Sequence, residues 1–283
     1  MAEQSLQMSE LDHRRDGVGL KYVYPVVSRR AGGISVGINL NTNNACNWAC
    51  SYCQVPGLVR GAPESVDLEL LAREARDFLG EVLHGSFMEQ RVPPAARRLA
   101  DVAFSGTGEP TASPAFPQAV GIVESALREH GVLGDVPIRL ITNGSMLHRR
   151  SVRDAIAHLS LCRGEVWFKV DRATRAGMLR TNGVNLDPPR VMERLDLCID
   201  LIPTWVQTCW FGLDGAEPSD RETAAYLDFL TVVRGGIQGV LLYGIARQPM
   251  QSGSERLTRL PAASLQRLAA EIGKRGIAVS VSP

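Results

Sequence analysis

The chain alternates short apolar runs with longer segments in which apolar residues recur every three or four positions. The short runs are rich in β-branched residues and predict β-strands, whereas the three-to-four spacing predicts amphipathic helices. The predicted strands cover residues 34–40, 102–105, 138–142, 166–170, 206–211 and 240–243, with a final strand at 277–282. The predicted helices cover residues 68–83, 116–130, 151–159, 190–197, 221–233 and 263–274.

The regular alternation of strands and helices is typical of βα units, whose strands form a parallel sheet. The predicted strands are continuously apolar, as expected for a sheet that is covered by helices on its outer face. We therefore predict an α/β fold, a partial (β/α)6 TIM-like barrel with a short N-terminal arm and a C-terminal strand. The predicted arm covers residues 1–33 and packs on a core domain of residues 34–283.

Polar and glycine-rich clusters follow five of the predicted strands, at the point where each strand ends. In a parallel barrel the loops after the strands gather at one end, and the chemistry gathers there too. The clusters are NTNNACNWACSYCQ after the first strand, GTGEP after the second, NGS after the third, Lys169 with Asp171 at the fourth, and residues 244–247 after the sixth. We expect these five clusters to meet on one rim.

Composition excludes several classes of protein. The 283 residues are 45% hydrophobic and 22% charged, which excludes a disordered or fibrous chain and allows one large domain or two small ones. The formal net charge of +1 supplies no general positive field, so no DNA partner is expected. No apolar run approaches the length of a membrane span, and the first residues lack the apolar core of a secretory signal. The expected location is cytoplasmic, without a membrane partner.

Three of the six cysteines crowd into eight residues. Cys46, Cys50 and Cys53 form the pattern C-x3-C-x2-C directly after a predicted strand. Iron–sulfur clusters are held by cysteine thiolates on short loops of this kind. Three ligands leave one iron of a cubane cluster without a protein ligand, which is the open position that a catalytic centre needs. The alternatives are a Cys3His zinc site, for which no histidine lies near in sequence, and three inert buried thiols.

The cysteine loop, with Tyr52 just before its last cysteine, resembles the signature of the radical S-adenosylmethionine (SAM) superfamily. The segments YPVVSRRAGGISVGINL, FSGTGEPTASPAF, ITNGSML, WFKVDRA and LLYGIARQP occur in the same order as in a branch similar to the tRNA wyosine-synthesis (imidazoguanosine-forming) Fe-S enzymes. The resemblance implies a [4Fe-4S] cluster on the three cysteines, with SAM chelating the open iron. The implied activity is reductive cleavage of SAM to a 5′-deoxyadenosyl radical that abstracts hydrogen from a substrate, while the protein supplies position and shielding.

Gly106, Gly108 and Glu109 follow the second predicted strand. Glycines there let the backbone approach a ligand closely, and a carboxylate can pair with an ammonium group. The resemblance implies that this motif receives the amino group of SAM. The alternative is a tight turn with no ligand.

Lys169 and Asp171 end the strand Val-Trp-Phe-Lys-Val-Asp, and alternation places both on one face. They either form a salt bridge on the rim or, as the resemblance implies, contact the carboxylate and the ribose hydroxyls of SAM. Asn143 either hydrogen-bonds the ribose or adopts the left-handed turn conformation that asparagine tolerates.

Two further sites carry weaker expectations. Tyr52 lies over the adenine of SAM or near the cluster, or it only packs in its loop. Arg29 and Arg30 precede the first predicted strand, so their charges are solvated unless the arm folds back and makes them clamps for phosphate or carboxylate.

The remaining cysteines distinguish this chain from its relatives. The wyosine-synthesis enzymes carry a second cluster on additional N-terminal cysteines, whereas residues 1–45 contain none. Cys162, Cys198 and Cys209 could hold a second cluster, but Cys162 and Cys198 lie in or next to apolar helical segments. Free cysteine is commonly a small buried hydrophobe, and we favour that role for all three.

The leading hypothesis is a radical SAM enzyme that acts on an unidentified small-molecule, nucleotide or RNA substrate. Its cofactors are the [4Fe-4S] cluster and SAM, with an electron donor such as flavodoxin or ferredoxin as redox partner. One alternative is a tRNA-modifying enzyme that forms a carbon–carbon bond on a guanosine, which predicts salt-sensitive tRNA binding. The other is a non-catalytic metal or cluster-binding scaffold, which predicts zinc without iron.

Overall fold

The computed structural model describes Met8, residues 18–28 and residues 31–282. Its twelve strands, over those residues, are β1 Val23–Ser28, β2 Gly33–Ile38, β3 Ala45–Cys46, β4 Val59–Arg60, β5 Leu99–Phe104, β6 Ile138–Thr142, β7 Gly164–Lys169, β8 Thr204–Cys209, β9 Gly212–Leu213, β10 Gly239–Tyr243, β11 Leu257–Thr258 and β12 Val279–Ser282. Its α-helices are α1 Leu68–His84, α2 Phe87–Arg91, α3 Phe116–Glu129, α4 Arg150–Ser160, α5 Arg175–Asn182, α6 Pro188–Leu201, α7 Asp220–Val233 and α8 Ala262–Gly273.

Eight strands form one sheet in the spatial order β1-β2-β5-β6-β7-β8-β10-β12. All neighbours in this sheet are parallel except β1, which runs antiparallel to β2. Residues from β1 through β10 line one shared cavity, so the sheet curls into an open half-barrel around a lumen. The predicted partial (β/α)6 barrel is confirmed, and all seven predicted strands are present within three residues of their expected bounds.

Seven elements were not predicted from the sequence. Four of them are the two-residue strands β3, β4, β9 and β11, which are too short to show a periodicity. The other three are β1, α2 and α5. β1 belongs to the predicted arm, yet it is hydrogen-bonded along its whole length to β2 and extends the sheet. α2 lies in a stretch that contains Pro93 and Pro94 and has only five residues. α5 lacks an apolar stripe because polar and charged side chains are spread around it. The domain boundary at residue 33 stays a prediction.

The two faces of the sheet differ in polarity. Successive residues of a strand point to opposite faces, so Val102 and Phe104 pack beneath the helices while Asp101 and Ala103 face the lumen. The outer face is apolar, as predicted, and contributes to one continuous core. The expectation of uniformly apolar strands is wrong on the inner face, which carries polar side chains because that face lines a cavity.

Helix lengths and composition bear on membrane association. Over residues 18–28 and 31–282, no helix combines the length and the apolar character needed to cross a bilayer.

Candidate active site

One cavity of about 310 Å³ occupies the lumen of the half-barrel. At one end it is lined by the three cysteines of the C-x3-C-x2-C loop and by Glu109, and at the other end by Asp101. The clusters predicted to share one rim therefore do so. Because strands rise about 3.3 Å per residue, inward-facing residues four apart on one strand lie about 13 Å apart along the lumen.

The cysteine loop leaves the sheet through β3 and returns through β4, which pairs with β3 in parallel. The backbone of this loop is held by the end of α5: the Ala49 N–H donates to Asn182 O at 3.0 Å, and the Ser51 N–H donates to Thr181 O at 2.8 Å. At Gly183, with φ of 67°, a Cβ would lie 2.7 Å from Ala49 O. The loop therefore packs directly against the backbone of the helix end.

The three loop thiols are free and partly buried. The Trp48 N–H donates to Cys46 Sγ at 3.5 Å, and Asn182 Nδ2 donates to Cys50 Sγ at 3.4 Å. Burial raises the pKa of Cys46 to about 11, against the opposing effect of the Trp48 N–H. Burial and the charge of Asp171 raise the pKa of Cys50 to about 12. These thiols therefore keep their protons unless a metal displaces them.

The spacing of the thiols separates two kinds of metal site. Thiolates around one tetrahedral zinc ion lie about 3.8 Å apart, given Zn–S bonds of about 2.3 Å. Within the described ranges, the only three metal-ligating side chains whose donor atoms all lie within 4.8 Å of one another are Glu124, His158 and Cys162. Cys46, Cys50 and Cys53 do not form such a group, so at least one pair of their thiols lies more than 4.8 Å apart. A donor set of three separated thiols with N–H···S bonds fits an iron–sulfur cluster.

The glycines after β5 are required for close packing. Gly106 has a φ of 147°, and a Cβ there would lie 2.3 Å from Asn39 Oδ1. At Gly108, a Cβ would lie 2.1 Å from Ala45 O. Both glycines also line the cavity, and their predicted approach to SAM stays a prediction. The structure shows that they let this turn lie against the segment that leads into the cysteine loop.

Glu109 is almost fully buried and lines the cavity. Its Oε1 accepts from the backbone N–H of Thr111 at 3.1 Å and from the hydroxyls of Thr111 and Thr142 at 2.5 and 2.6 Å. Its Oε2 accepts from the Asn143 N–H at 2.7 Å. Burial raises the pKa of Glu109 in spite of these donors. Oε2 accepts fewer bonds than Oε1, so it keeps a lone pair for a ligand.

Asn143 helps to fix the same corner of the cavity. Its Nδ2 donates to Asn47 Oδ1 at 3.0 Å, and its Oδ1 accepts from the Ser145 N–H at 3.0 Å. The left-handed conformation suggested for Asn143 is wrong, because the positive φ of this turn belongs to Gly144, at 70°. The role of Asn143 toward a ribose stays a prediction.

Asp171 ties the cysteine loop to the sheet. Its Oδ2 accepts from the Tyr52 hydroxyl at 2.6 Å and from Asn182 Nδ2 at 2.8 Å, while its Oδ1 accepts from the Cys209 N–H at 2.8 Å. Lys169 Nζ lies 3.6 Å from the same Oδ1. The salt bridge that the sequence left as an alternative is therefore present. A contact from Asp171 to SAM stays a prediction.

Lys169 lies among aromatic rings at the middle of the lumen. Its Nζ donates to the Tyr243 hydroxyl at 3.0 Å and lies 5.0 Å from the centroid of the Tyr52 ring. Burial alone lowers the pKa of a lysine, but the charge of Asp171 and the Tyr243 hydroxyl outweigh burial and raise the pKa of Lys169. Tyr52 itself lines the cavity and packs at 5.5 Å from Phe211.

A charged cluster at the far end of the lumen escaped the sequence analysis. Arg139 forms ion pairs with Asp101 and, at 2.5 Å, with Glu165. Ser35 donates to Asp101, and Trp167 Nε1 donates to Glu165 at 3.0 Å. These residues lie inside predicted strands or at their starts and form no motif. Their only signal in the sequence is a charged or polar residue every second position within otherwise apolar runs.

Gln207 is a second residue that no motif indicates. It lies on β8 opposite Lys169, is 2% exposed and lines the cavity. Its Nε2 has no hydrogen-bond partner among the described residues. A buried, unpaired amide donor that faces a cavity is costly unless something bound there accepts its hydrogen bond.

The other predicted residues are not part of this site, with one exception. Cys209 lines the cavity, whereas Cys162 and Cys198 do not. All three thiols are buried, and no two of them belong to one metal-ligating group in the described part of the chain. Arg29 and Arg30 lie outside the described residues.

Comparisons with known proteins place this geometry in a family. A family model described as the Radical SAM superfamily matches residues 40–227. A UPF0026 protein of Methanocaldococcus jannaschii is 32% identical over 148 residues, which are 52% of this chain and 39% of that protein. The chain spans 16% to 39% of the length of the curated relatives that it matches.

Solved structures share the fold. A radical SAM methyltransferase from Sphaerobacter thermophilus aligns with a TM-score of 0.60 at 16% identity, over 88% of this chain and 66% of that one. TYW1 with a lysine-pyruvate adduct bound aligns with a TM-score of 0.54 at 16% identity, over 86% of this chain and 74% of that one. TYW1 is a wyosine-synthesis enzyme, which is consistent with the predicted branch, although at this identity the likeness shows the fold alone. Because the family model covers more than half of the chain and includes the cysteine loop, the protein belongs to the radical SAM superfamily.

Proposed function

We propose that this protein is a radical SAM enzyme that acts on a small substrate in the lumen of its half-barrel. The observation that carries the proposal is the position of Cys46, Cys50, Cys53 and Glu109 around one end of a single cavity. When bound, a [4Fe-4S] cluster and SAM supply one-electron cleavage of the C5′–S bond, giving methionine and a 5′-deoxyadenosyl radical that takes a hydrogen atom from the substrate.

The residues of this chain have separate tasks in that reaction. Cys46, Cys50 and Cys53 would hold the cluster and leave one iron open. Glu109 lines the cavity, and its Oε2, which accepts only the Asn143 N–H, would accept a hydrogen bond from the ammonium group of SAM. The loop backbone is fixed by Asn182 and by the hydrogen bond from Tyr52 to Asp171, so the cluster would sit at a constant distance from the lumen.

The lumen around Arg139 and Lys169 disfavours an anionic group of the substrate. Arg139 is paired with Asp101 and Glu165, and Lys169 is paired with Asp171. A phosphate there would have to compete with carboxylates that already occupy both cations. Gln207 offers an unused amide donor, which suits a carbonyl oxygen or a ring nitrogen of the substrate.

The same features set expectations for size and partners. A cavity of about 310 Å³ has to hold SAM together with the reacting group, so the substrate is a small molecule, or a nucleotide or RNA that inserts one small part. Reduction of the cluster needs an external electron donor such as flavodoxin or ferredoxin. We expect the protein to work in the cytoplasm, because reducing conditions there keep cysteines free to bind a cluster.

The experiment is formation of 5′-deoxyadenosine by the anaerobically reconstituted, dithionite-reduced protein with SAM. We expect the product from the native chain and none from Cys46→Ala, which should also lack the visible absorbance of the cluster. Cys198→Ala is the matched control, because Cys198 is buried away from the cavity and should leave both readouts unchanged.

Two results would contradict the proposal. A full cluster in Cys46→Ala would remove Cys46 from the ligand set. A native chain that carries a full cluster but neither binds SAM nor forms 5′-deoxyadenosine would be a cluster-bearing scaffold instead of an enzyme.

A further inference from the structure

A second group of metal-ligating side chains lies on the helical side of the protein, away from the cavity. Glu124 on α3, His158 on α4 and Cys162 just after α4 bring their donor atoms within 4.8 Å of one another. None of the three lines the cavity. Carboxylate, imidazole and thiol are thus gathered at one point between two helices that pack side by side.

The backbone holds two of these residues in fixed relation. His158 and Cys162 are four residues apart, across the last turn of α4. The Leu161 N–H donates to His158 O at 3.0 Å, and the Cys162 N–H donates to Leu159 O at 2.9 Å. This turn carries the imidazole and the thiol on the same side, toward α3. Glu124 then completes the group from the neighbouring helix.

Exposure makes the group reachable. The Glu124 side chain is 15% exposed and the His158 side chain is 45% exposed, whereas Cys162 is buried. An ion could therefore enter from the histidine side and contact a buried thiol. Mixed nitrogen, sulfur and oxygen donors suit zinc, whereas magnesium and calcium prefer oxygen donors alone.

We propose that Glu124, His158 and Cys162 form a zinc site, with water as the fourth ligand, that links α3 to α4. Ligand atoms around tetrahedral zinc lie about 3.3 to 3.8 Å apart. His158 Nε2 and Glu124 Oε2 are 2.7 Å apart, so zinc binding requires these two atoms to move apart by about 0.6 Å, which side-chain rotation provides.

The existing contacts fit this assignment. Glu124 uses its two oxygens for different partners: Oε2 contacts His158 Nε2, while Oε1 pairs with Arg128. Zinc would replace the contact to His158 and leave Arg128 on the other oxygen, where it would orient the carboxylate.

The test measures zinc and iron together in the full-length, cluster-loaded protein after equilibration with a zinc buffer. We expect about one zinc per native chain in addition to the iron. His158→Ala and Cys162→Ala should each lose the zinc and keep the iron. Cys198→Ala, a buried cysteine on α6, is the matched control and should keep both metals.

Cys46→Ala separates this proposal from the proposed function. It should lose the iron and keep the zinc. Retention of zinc in Cys162→Ala together with its loss in Cys46→Ala would assign the zinc to the cysteine loop and overturn the site. A native chain without zinc would overturn it as well.

Zinc-edge X-ray absorption on the native protein decides the matter if the variants do not fold. One sulfur and otherwise nitrogen and oxygen donors would support the site. Two or three sulfur donors would refute it.

Discussion

The two ends of the cavity are built from different parts of the chain. The rim is lined by Cys46, Cys50, Cys53, Glu109 and Asn143, which lie at or after the ends of strands, and Asp171 supports it from outside the lining. The floor is lined by Ser35, Asp101, Arg139 and Trp167, which lie within strands, and Glu165 joins them through its ion pair with Arg139. The rim groups keep atoms that are available to bind a metal or accept a hydrogen bond, namely three free thiols and the Oε2 of Glu109. The floor groups use their hydrogen-bonding capacity on one another, because the single cation of Arg139 pairs with both Asp101 and Glu165.

This difference indicates a division of labour. Unused thiols and a buried carboxylate favour a charged cofactor and a metal cluster at the rim. The floor sets one cation against two carboxylates, so it shapes the lumen and disfavours an anionic ligand. Asp171 differs from the other rim residues, because its hydrogen bonds to Tyr52, Asn182 and the Cys209 N–H hold the cysteine loop against the sheet.

The largest expected effect on stability comes from removing the Asp171 carboxylate. Asp171→Ala leaves the mostly buried Lys169 without its carboxylate and releases Tyr52 and Asn182. Loss of one partner of a buried pair costs about 3 to 5 kcal/mol in the free energy of unfolding. Urea unfolding of the cluster-free chain measures this cost.

Asp154→Ala is the matched control for Asp171→Ala. Asp154 and Arg150 are also 3.6 Å apart, but their side chains are 67% and 88% exposed. Their separation should contribute less than about 1 kcal/mol. Equal losses in the two variants would show that Asp171 is not a buried anchor.

The next effect concerns the division between rim and floor. Glu109→Gln removes the charge that faces the ammonium group of SAM, and charged hydrogen bonds contribute about 1.5 to 3 kcal/mol, so SAM affinity should fall by about 10- to 100-fold. Glu165→Gln on the floor is the control and should leave SAM affinity unchanged. Equilibrium binding to the cluster-loaded protein tests both, and an equal loss in both would abolish the distinction.

The pH dependence of SAM binding follows from the same carboxylate. Because burial raises the pKa of Glu109, its carboxylate is protonated at a higher pH than an ordinary glutamate. Protonation removes the negative charge, so SAM affinity should fall on acidification through that raised pKa. The acid-side loss should be absent in Glu109→Gln, whose affinity is already low. An identical acid-side loss in both proteins would assign the titration to another group.

A smaller effect tests the contact between the cysteine loop and α5. Gly183→Ala combines a φ of 67° with a Cβ that would lie 2.7 Å from Ala49 O. Gly215→Ala has a similar φ of 81°, but nothing lies within 4 Å of its Cβ. In both variants the left-handed conformation of the new alanine costs about 1 to 2 kcal/mol in the free energy of unfolding. Gly183→Ala should cost about 1 kcal/mol more in unfolding free energy and also lower the iron content. Equal losses of unfolding free energy in the two variants would mean that the cysteine loop moves away from α5 without cost.

The rim was predictable from sequence and the floor was not, for a physical reason. Residues 46–53 and the GTGEP turn are contiguous, so their chemistry shows as a short pattern. Asp101, Arg139 and Glu165 come from three strands and meet only through the pairing of β5, β6 and β7. A single charged residue in an apolar run does not reveal its partner.

The fold shows the same limit. Periodicity located the parallel strands because each has a buried face. It missed β1, whose residues are buried on both faces and which precedes the first βα unit. It also assigned Gly106 and Gly108 to ligand approach, which stays a prediction, but it gave no sign that a Cβ at either position would meet Asn39, Asn41 or Ala45. Which neighbour a glycine admits depends on tertiary packing.

The smallest expected effect is an increase in stability at the boundary between rim and floor. Gln207 Nε2 is buried without a partner among the described residues, and such a group costs about 1 to 3 kcal/mol. Gln207→Leu keeps a similar volume and removes that cost, so the free energy of unfolding should rise by about 1 kcal/mol. SAM binding should not change, because the proposed SAM contacts are Glu109 and the cluster at the rim, whereas Gln207 lies opposite Lys169 in the middle of the lumen. Substrate turnover should fall, because the variant loses the amide that is proposed to donate a hydrogen bond to the substrate. Stability and activity would then change in opposite directions. A loss of stability in Gln207→Leu would show that the Gln207 amide already has a partner in the folded chain. Gln207 would then offer the substrate no unused hydrogen-bond donor.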